Sequence, residues 1–449
     1  MRRQAIAISL LMAICMAFML VISSFPVTAA GYEWSRTNGG HYQDNCFSLV
    51  NTSDGGFLIG GWADWHYQND SYSWFVNHFF LLKTDKDGNQ EWYQAYGDTH
   101  ASMGGYAREA PGGGFILAGG IEADGVGTVG LFKVDAGGRK LWEKNYRPGF
   151  DGRVKSLESA PDGYILAGTS NGRVFLMKFD YEGNLEWDRS YNNPGLDAGR
   201  ALPTSDGGFI VAGGPSVDTS GKMFLMKTDA GGNVTWLKYY GGGYTAAASA
   251  IEDRTGGFVI VGYQSTSMPG QFEQYGGSDV YVVRTDNDGD VLREKTYNVS
   301  PDDDYANAIV QMDDGGYAIT GFAVLARSGY YVIDSDAFLL RLDENGTQQW
   351  VKKFGSPGEA TGIAVVTSDD GAIVLAGDRR NSDILLIKST DAPCELTPVD
   401  EAIKSVDTML YHSPYIFYCW APLFLAAFIS LSVALIAIKR SIERKKKPQ

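Results

Sequence analysis

Residues 206–242 read DGGFIVAGGPSVDTSGKMFLMKTDAGGNVTWLKYYGG, and the rest of the chain is built on that phrase. It recurs as DGGFLIGG…FFLLKTDKDGNQEWYQAYG from Asp54, GGGFILAGG…GLFKVDAGGRKLWEKNY from Gly112 and PDGYILAG…VFLMKFDYEGNLEWDRSY from Pro161. It returns as TGGFVIVG…VYVVRTDNDGDVLREKTY from Thr255, DGGYAITG…AFLLRLDENGTQQWVKKFG from Asp314 and DGAIVLAG…DILLIKST from Asp370, seven copies in all. The anchor aspartates Asp85, Asp135, Asp180, Asp229, Asp286 and Asp343 lie 45 to 57 residues apart, the period of an array of stacked β-units.

Within each copy, apolar runs rich in Phe, Ile, Val and Leu are separated by Gly, Asp and Asn, the pattern of strands joined by turns. In the copy quoted first these are FIVAG, MFLMKT and NVTWLKYY, and a weaker strand precedes the DGG phrase elsewhere, as CFSLVNT does before Asp54. Four strands per unit, in seven units, predict an all-β, seven-bladed β-propeller. With the strands lettered A to D, the A–B and C–D links are short glycine turns, whereas the B–C and D–A links vary. Successive antiparallel strands reverse direction, so one face should be plain and the other elaborated. The seventh copy lacks strand D, and GYEWSRTNGG at residues 31–40 resembles one without its blade. Residues 32–38 are therefore expected to complete blade seven, which removes the open sheet edges.

These repeats resemble the β-propeller repeats of secreted and cell-surface proteins of archaea and bacteria, within the quinoprotein-like and WD40-like propeller superfamily. The resemblance covers residues 32–390. In quinoprotein propellers a similar Asp-x-x-Gly-x-x-x-Trp phrase locks neighbouring blades by tryptophan docking. That implies a blade-docking role for Trp92, Trp142, Trp187, Trp236 and Trp350, and for Trp34 in the closing strand, with Arg293 breaking the pattern in blade five. The adjacent cysteine pair of those enzymes is missing, as are the Gly-His and Trp-Asp signatures of WD40 repeats.

Residues 1–30 read as a secretory signal: Arg2 and Arg3, an apolar run, then the small residues of PVTAA. Residues 31–390 form the expected ectodomain and 391–414 a juxtamembrane linker. Residues 415–438 are 24 positions without a charge, a candidate transmembrane helix with Tyr415, Tyr418 and Trp420 at one interface. The tail at 439–449 carries six basic residues against one acidic, which places it in the cytoplasm and the propeller outside a cell membrane crossed once. Residues 31–438 hold 30 basic and 52 acidic side chains, a balance that disfavours nucleic acid. Only Cys46, Cys394 and Cys419 follow the signal, too few for a disulfide framework.

The richest outward link is the B–C insert of blade one, GWADWHYQNDSYSWFVNH at residues 61–78. Its Trp62, Trp65, His66, Tyr67, Tyr72, Trp74 and His78 make a candidate platform for stacking on sugar rings or gripping a protein; the plainer alternative is that these aromatics cover the blade top. His41 and His100 flank the same blade. Blades five and six carry inserts of the same class from Tyr263 and Phe322. DKDG at Asp85 and DNDGD at Asp286 look like calcium loops, but Gln90 and Val291 occupy the sixth position, where glycine belongs, so hairpin turns are expected. Asp302, Asp303 and Asp304 are expected to be solvated. No Ser-His-Asp, Cys-His, HExxH or phosphate-loop motif appears and no cofactor is assigned; His66 with His78 offers a further, metal-holding alternative for the insert. The sequence points to a non-enzymatic binding module for a glycan, envelope polymer or protein, with two alternatives: an envelope scaffold, or a glycosidase, lyase or quinoprotein-type enzyme using the central channel.

Overall fold

A computed structural model describes residues 33–39, 43–68, 73–97, 102–123, 126–147, 149, 151–192, 196–215, 221–265, 277–328, 331–355, 359–379 and 383–391. The chain divides after Pro393 into two units, and the second, 394–449, lies outside these residues, as do the signal, the linker beyond Asp391, the expected membrane span and Cys394. Among the described residues no helix is long and apolar enough to cross a membrane.

The described chain is a seven-bladed β-propeller: twenty-eight strands in seven four-stranded antiparallel sheets. Each of blades one to six takes its four strands in chain order. Blade seven is closed by the N-terminal strand Trp34–Asn38, which pairs with Asp383–Ser389 in the register Trp34 to Lys388 and Asn38 to Ile384. Each A strand touches the A strand of the next blade, and Ala360–Thr367 of blade seven touches Asp44–Asn51 of blade one. The A strands therefore form the inner ring and the D strands the rim. Strands B and C are covered on both faces by neighbouring blades, so Phe209–Ala212 and Met223–Met226 are buried without alternation. This explains why the sequence reads there as continuous apolar runs.

Four of the tryptophans pack on a phenylalanine of the neighbouring blade. Trp34 packs on Phe57 at 6.1 Å between ring centroids, Trp92 on Phe115 at 5.9 Å, and Trp187 and Trp236 on Phe209 and Phe258 at 5.8 Å each, always in the following blade. The same indole covers the glycine of that blade's C–D turn. A Cβ there would lie 2.5 Å from Trp34 at Gly88, 2.9 Å from Trp92 at Gly138, 2.4 Å from Trp142 at Gly183 and 2.9 Å from Trp236 at Gly289. These glycines also have φ between +75° and +82°, so left-handed backbone and close approach coincide at one position. Trp350 is buried in the core between blades six and seven. Where Arg293 replaces the indole, a cleft lined by Val259, Val282, Tyr297, Tyr317, Leu342 and Gly346 remains.

Two further interactions recur that the sequence reading did not single out. Four residues after the docking position, a tyrosine hydroxyl donates to the carbonyl of the same turn glycine: Tyr96 to Gly138 at 2.6 Å, Tyr191 to Gly232 at 2.8 Å and Tyr240 to Gly289 at 2.9 Å. Tyr146 and Tyr297 do the same to Gly183 and Gly346. In the closing strand Asn38 takes that place, donating Nδ2 to the Gly88 carbonyl at 3.4 Å. Second, a cation near the end of strand C meets the aspartate of the A–B turn: Lys83 with Asp54 at 2.9 Å, Lys178 with Asp162 at 2.7 Å and Lys227 with Asp206 at 2.8 Å.

The candidate calcium loops are hairpin turns. Asp85 accepts the backbone N–H groups of Asp87 and Asn89 at 2.9 and 2.8 Å, and Asp286 accepts that of Asp290 at 2.8 Å, so the acid folds its own turn. The acidic run of blade six departs from expectation, because Asp303 and Asp304 are buried. Asp304 accepts from the N–H groups of Val299 and Ser300 at 2.6 and 2.9 Å, while Asp303 accepts from Ser278 at 2.9 Å and pairs with Arg327. Deleting residues 31–38 removes the outer strand of blade seven and its lock on blade one, and should lower the melting temperature of the chain by at least 10 °C. A truncated chain that melts with the parent refutes the closing role.

Candidate binding face and central channel

The blade-one insert is a long hairpin continuous with its blade. Strands B and C, Phe57–Gln68 and Ser73–Thr84, are 12 residues each and pair without interruption from Phe57–Thr84 to Gln68–Ser73. Trp65 pairs with Val76, His66 with Phe75 and Tyr67 with Trp74, which places these candidates on the distal part of the ladder. Trp62 is half-buried beside Phe79 in the register. His78 sits in the blade body, 3% exposed, and a Cβ on Gly97 would lie 2.5 Å from its Nδ1. Tyr72, His41 and His100 lie outside the described residues. Blade six builds a hairpin of the same length, Tyr317–Ser328 with Tyr331–Leu342, whereas the blade-five insert at 266–276 is not among the described residues.

The channel was invisible to linear motif reading. Every A strand carries a register shift at one level, which leaves Phe47, Gly105, Lys155, Arg200 with Gly199, Ala248, Asn307 and Ile363 out of the ladder. A bulge re-aims the extra residue, and the side chains of Phe47, Lys155, Arg200, Ala248, Asn307 and Ile363 are all partly exposed. The wall is uneven in charge. Lys155 pairs with Asp197 at 3.1 Å. Glu158, its side chain 9% exposed, accepts from Arg108 Nε at 2.9 Å and Arg200 Nε at 2.6 Å, linking blades two, three and four. Burial pulls the Glu158 carboxyl up, but the two guanidinium groups outweigh it and hold it below the ordinary value. Blades five to seven contribute Ala248, Asn307 and Ile363 at the same level, none of them charged.

A second acidic group marks the closing seam. Asp378, on strand B of blade seven, accepts the Cys46 backbone N–H at 2.6 Å, and Asp44, buried in blade one, accepts from the Tyr93 hydroxyl at 2.9 Å. Burial, then the Asp44 carboxylate, push the Asp378 carboxyl up to about 7, against the pull of the Cys46 N–H. Cys46 is a buried free thiol, raised by burial and by Asp378.

No known family profile matches the sequence, and no curated protein is similar to it. Among solved structures the chain is similar to Sqt1 from Chaetomium thermophilum, at 12% identity and TM-score 0.46 over 80% of this chain and 99% of that one. It is also similar to the Pan2 WD40 domain of Neurospora crassa, at 11% identity and TM-score 0.44 over 78% and 90%. No activity or partner is carried over from either.

Glu158→Gln leaves two arginines around a neutral group and should destabilise the chain by about 3–5 kcal/mol, read as a shifted urea midpoint; an unchanged midpoint refutes the bridging role. A carboxyl whose folded pKa lies above its unfolded value binds its proton more tightly when folded, so stability falls as pH rises from about 4 to about 7. Asp378→Asn, which keeps an acceptor for Cys46, should flatten the melting temperature between pH 4.5 and 7.5. An equal slope in parent and variant removes Asp378 as the titrating group.

Proposed function

We propose that this chain is a membrane-anchored surface propeller that binds a glycan, envelope polymer or protein through its elaborated face. The observation that carries the reading is the polarity of the propeller. The Glu33 N–H donates to the Lys388 carbonyl at 2.7 Å, so the chain enters and leaves at one place on the tight-turn face. The long hairpins of blades one and six project from the opposite face. An anchor at residues 415–438 would then hold the tight-turn face to the membrane and present the hairpins outward. The register groups Trp65, Tyr67 and Trp74, residue types that supply large contact area at small entropic cost. In the channel, Asp197 and Glu158 are committed to ion pairs, which favours binding over acid–base chemistry there.

One observation favours the scaffold reading. Leu141, Leu185, Val234, Val291 and Leu292 are 41–60% exposed at the starts of the D strands of blades two to five. They form an aliphatic arc on the rim at the level of the chain exit, suited to lateral contact with membrane neighbours.

Cross-linking on intact cells, with the linked peptides identified by mass spectrometry, separates the two. Partners attached through the hairpins of blades one and six in the parent, and lost in a folded Trp65→Ala/Trp74→Ala variant, are expected. Cross-links confined to the rim and the tight-turn face, unchanged in the variant, overturn the hairpin reading in favour of a scaffold.

A further inference from the structure

We propose that the cleft between blades five and six is a binding site for a small aromatic carboxylate, its ring where an indole sits at the other seams and its charge between Arg293 and Lys295. Both cations stand on the D strand of blade five, Val291–Tyr297, with Tyr297 two residues further on, so all three share the face that meets blade six. At five other seams the tryptophan in the Arg293 position covers the turn glycine of the next blade, and a Cβ on that glycine would lie 2.4 to 2.9 Å from the indole. At Gly346 the nearest Arg293 atoms, Cδ and Nη1, would lie 3.7 Å from that Cβ. The stem of Arg293 therefore does not close the seam. The space left, about 320 Å³ counting its open mouth, is lined by Val259 and Val282 of blade five and by Tyr317, Leu342 and Gly346 of blade six. That is at the small end of ligand pockets, so the occupant is one small ring system.

The walls select a ring. Tyr317 begins strand B of blade six as Phe209 and Phe258 begin theirs, and those two phenylalanines carry Trp187 and Trp236 at 5.8 Å. The Tyr317 hydroxyl is committed to Asp253 and that of Tyr297 to the Gly346 carbonyl, which leaves rings and aliphatic side chains to face the cleft. The mouth selects the charge. Arg284 is spent, donating Nη2 to Thr255 at 2.6 Å and pairing with Asp253 at 3.3 Å. Arg293 is exposed and has no hydrogen-bond or ion-pair partner among the described residues, and Lys295 has only the Tyr297 ring, 4.8 Å from its Nζ. The one acid of the lining, Glu344, is exposed and leans toward its own A–B turn, where a Cβ on Gly315 would lie 3.7 Å from its Oε2. Asn345, exposed at the lip, adds a neutral amide. Two unspent cations against one acid that faces elsewhere suit a single carboxylate, and a guanidinium stacks on a ring as readily as it pairs with an oxyanion.

The cleft opens beside a C–D turn, on the face opposite the hairpins, so the site stands or falls apart from the hairpin reading. The test is isothermal titration of the full chain in neutral detergent with indole-3-acetate, with indole-3-acetamide as the uncharged control and acetate as the control without a ring. Saturable one-to-one binding of indole-3-acetate is expected, about tenfold tighter than the amide, the size of one charge-assisted contact, with no binding of acetate. Arg293→Trp rebuilds the seam as five others are built, so it should melt above the parent and lose binding. Lys295→Gln, at an exposed position, leaves the cleft open and should weaken binding about tenfold; it decides the matter should Arg293→Trp fail to fold by circular dichroism. Absence of indole-3-acetate binding, equal affinity for the amide or for acetate, or parental affinity in either folded variant overturns the site.

Discussion

Five of the seven seams of the ring depend on a tryptophan laid over a glycine. Each C–D turn needs one residue in the left-handed region, and the indole from the preceding blade needs that residue to have no Cβ; Gly88, Gly138, Gly183, Gly232 and Gly289 meet both demands at once. Residues four apart on a strand share a face, so the tyrosine beyond each indole also addresses the next blade, and its hydroxyl reaches the carbonyl of the same glycine. Apolar cover, a hydrogen bond and a backbone conformation thus converge on a single residue at the rim. The contact fixes the spacing of neighbouring blades there, while direct contact between A strands fixes it at the axis.

Such an arrangement is legible in a sequence because its parts sit at constant offsets within one repeat. The blade count, the four strands per blade and the closing strand Trp34–Asn38 all followed from Asp, Gly and Trp spacing. The tyrosines were equally regular and went unnoticed because an aromatic at the end of an apolar strand needs no special explanation. The strand C cations were harder. Lys83 is read as a polar residue between apolar ones, and its buried position emerges only when Asp54, twenty-nine positions earlier, folds back over its Nζ. The channel left least trace. A bulge is set by the twist of the inner strand, and Phe47, Lys155, Ala248, Asn307 and Ile363 have no chemistry in common that would mark their shared level. Of the blade-one candidates, the strand register covers all but Tyr72 and puts His78 in the blade body, apart from the distal hairpin.

Departures from the repeat gather on one side of the ring. Arg293 leaves the seam between blades five and six without its indole, Phe354 stands where other blades have the tyrosine hydroxyl, and Asn38 replaces it at the closing seam. Blades six and one, which flank blade seven, also carry the two long hairpins among the described residues. The regular seams between blades two, three and four supply the charged channel wall. Two parts of the molecule therefore differ in what they can vary: the seams that repeat most faithfully hold the polar network, and the elaborations sit where locking is least uniform.

Charge placement explains how a chain with a formal net charge of −15 stays compact. The A–B turns crowd aspartates onto one face, and self-repulsion there would open it. Lys83, Lys178 and Lys227 thread their stems through the blades and bring their ammonium groups up beneath those aspartates, with only 4–8% of each side chain exposed. The cation is largely removed from water, but its partner keeps more than half of its exposure, so each pair avoids the full desolvation of two buried ions. The same logic, inverted, governs the channel. There the carboxylate of Glu158 is the buried member, and of its two guanidinium partners Arg200 is the one that keeps contact with water.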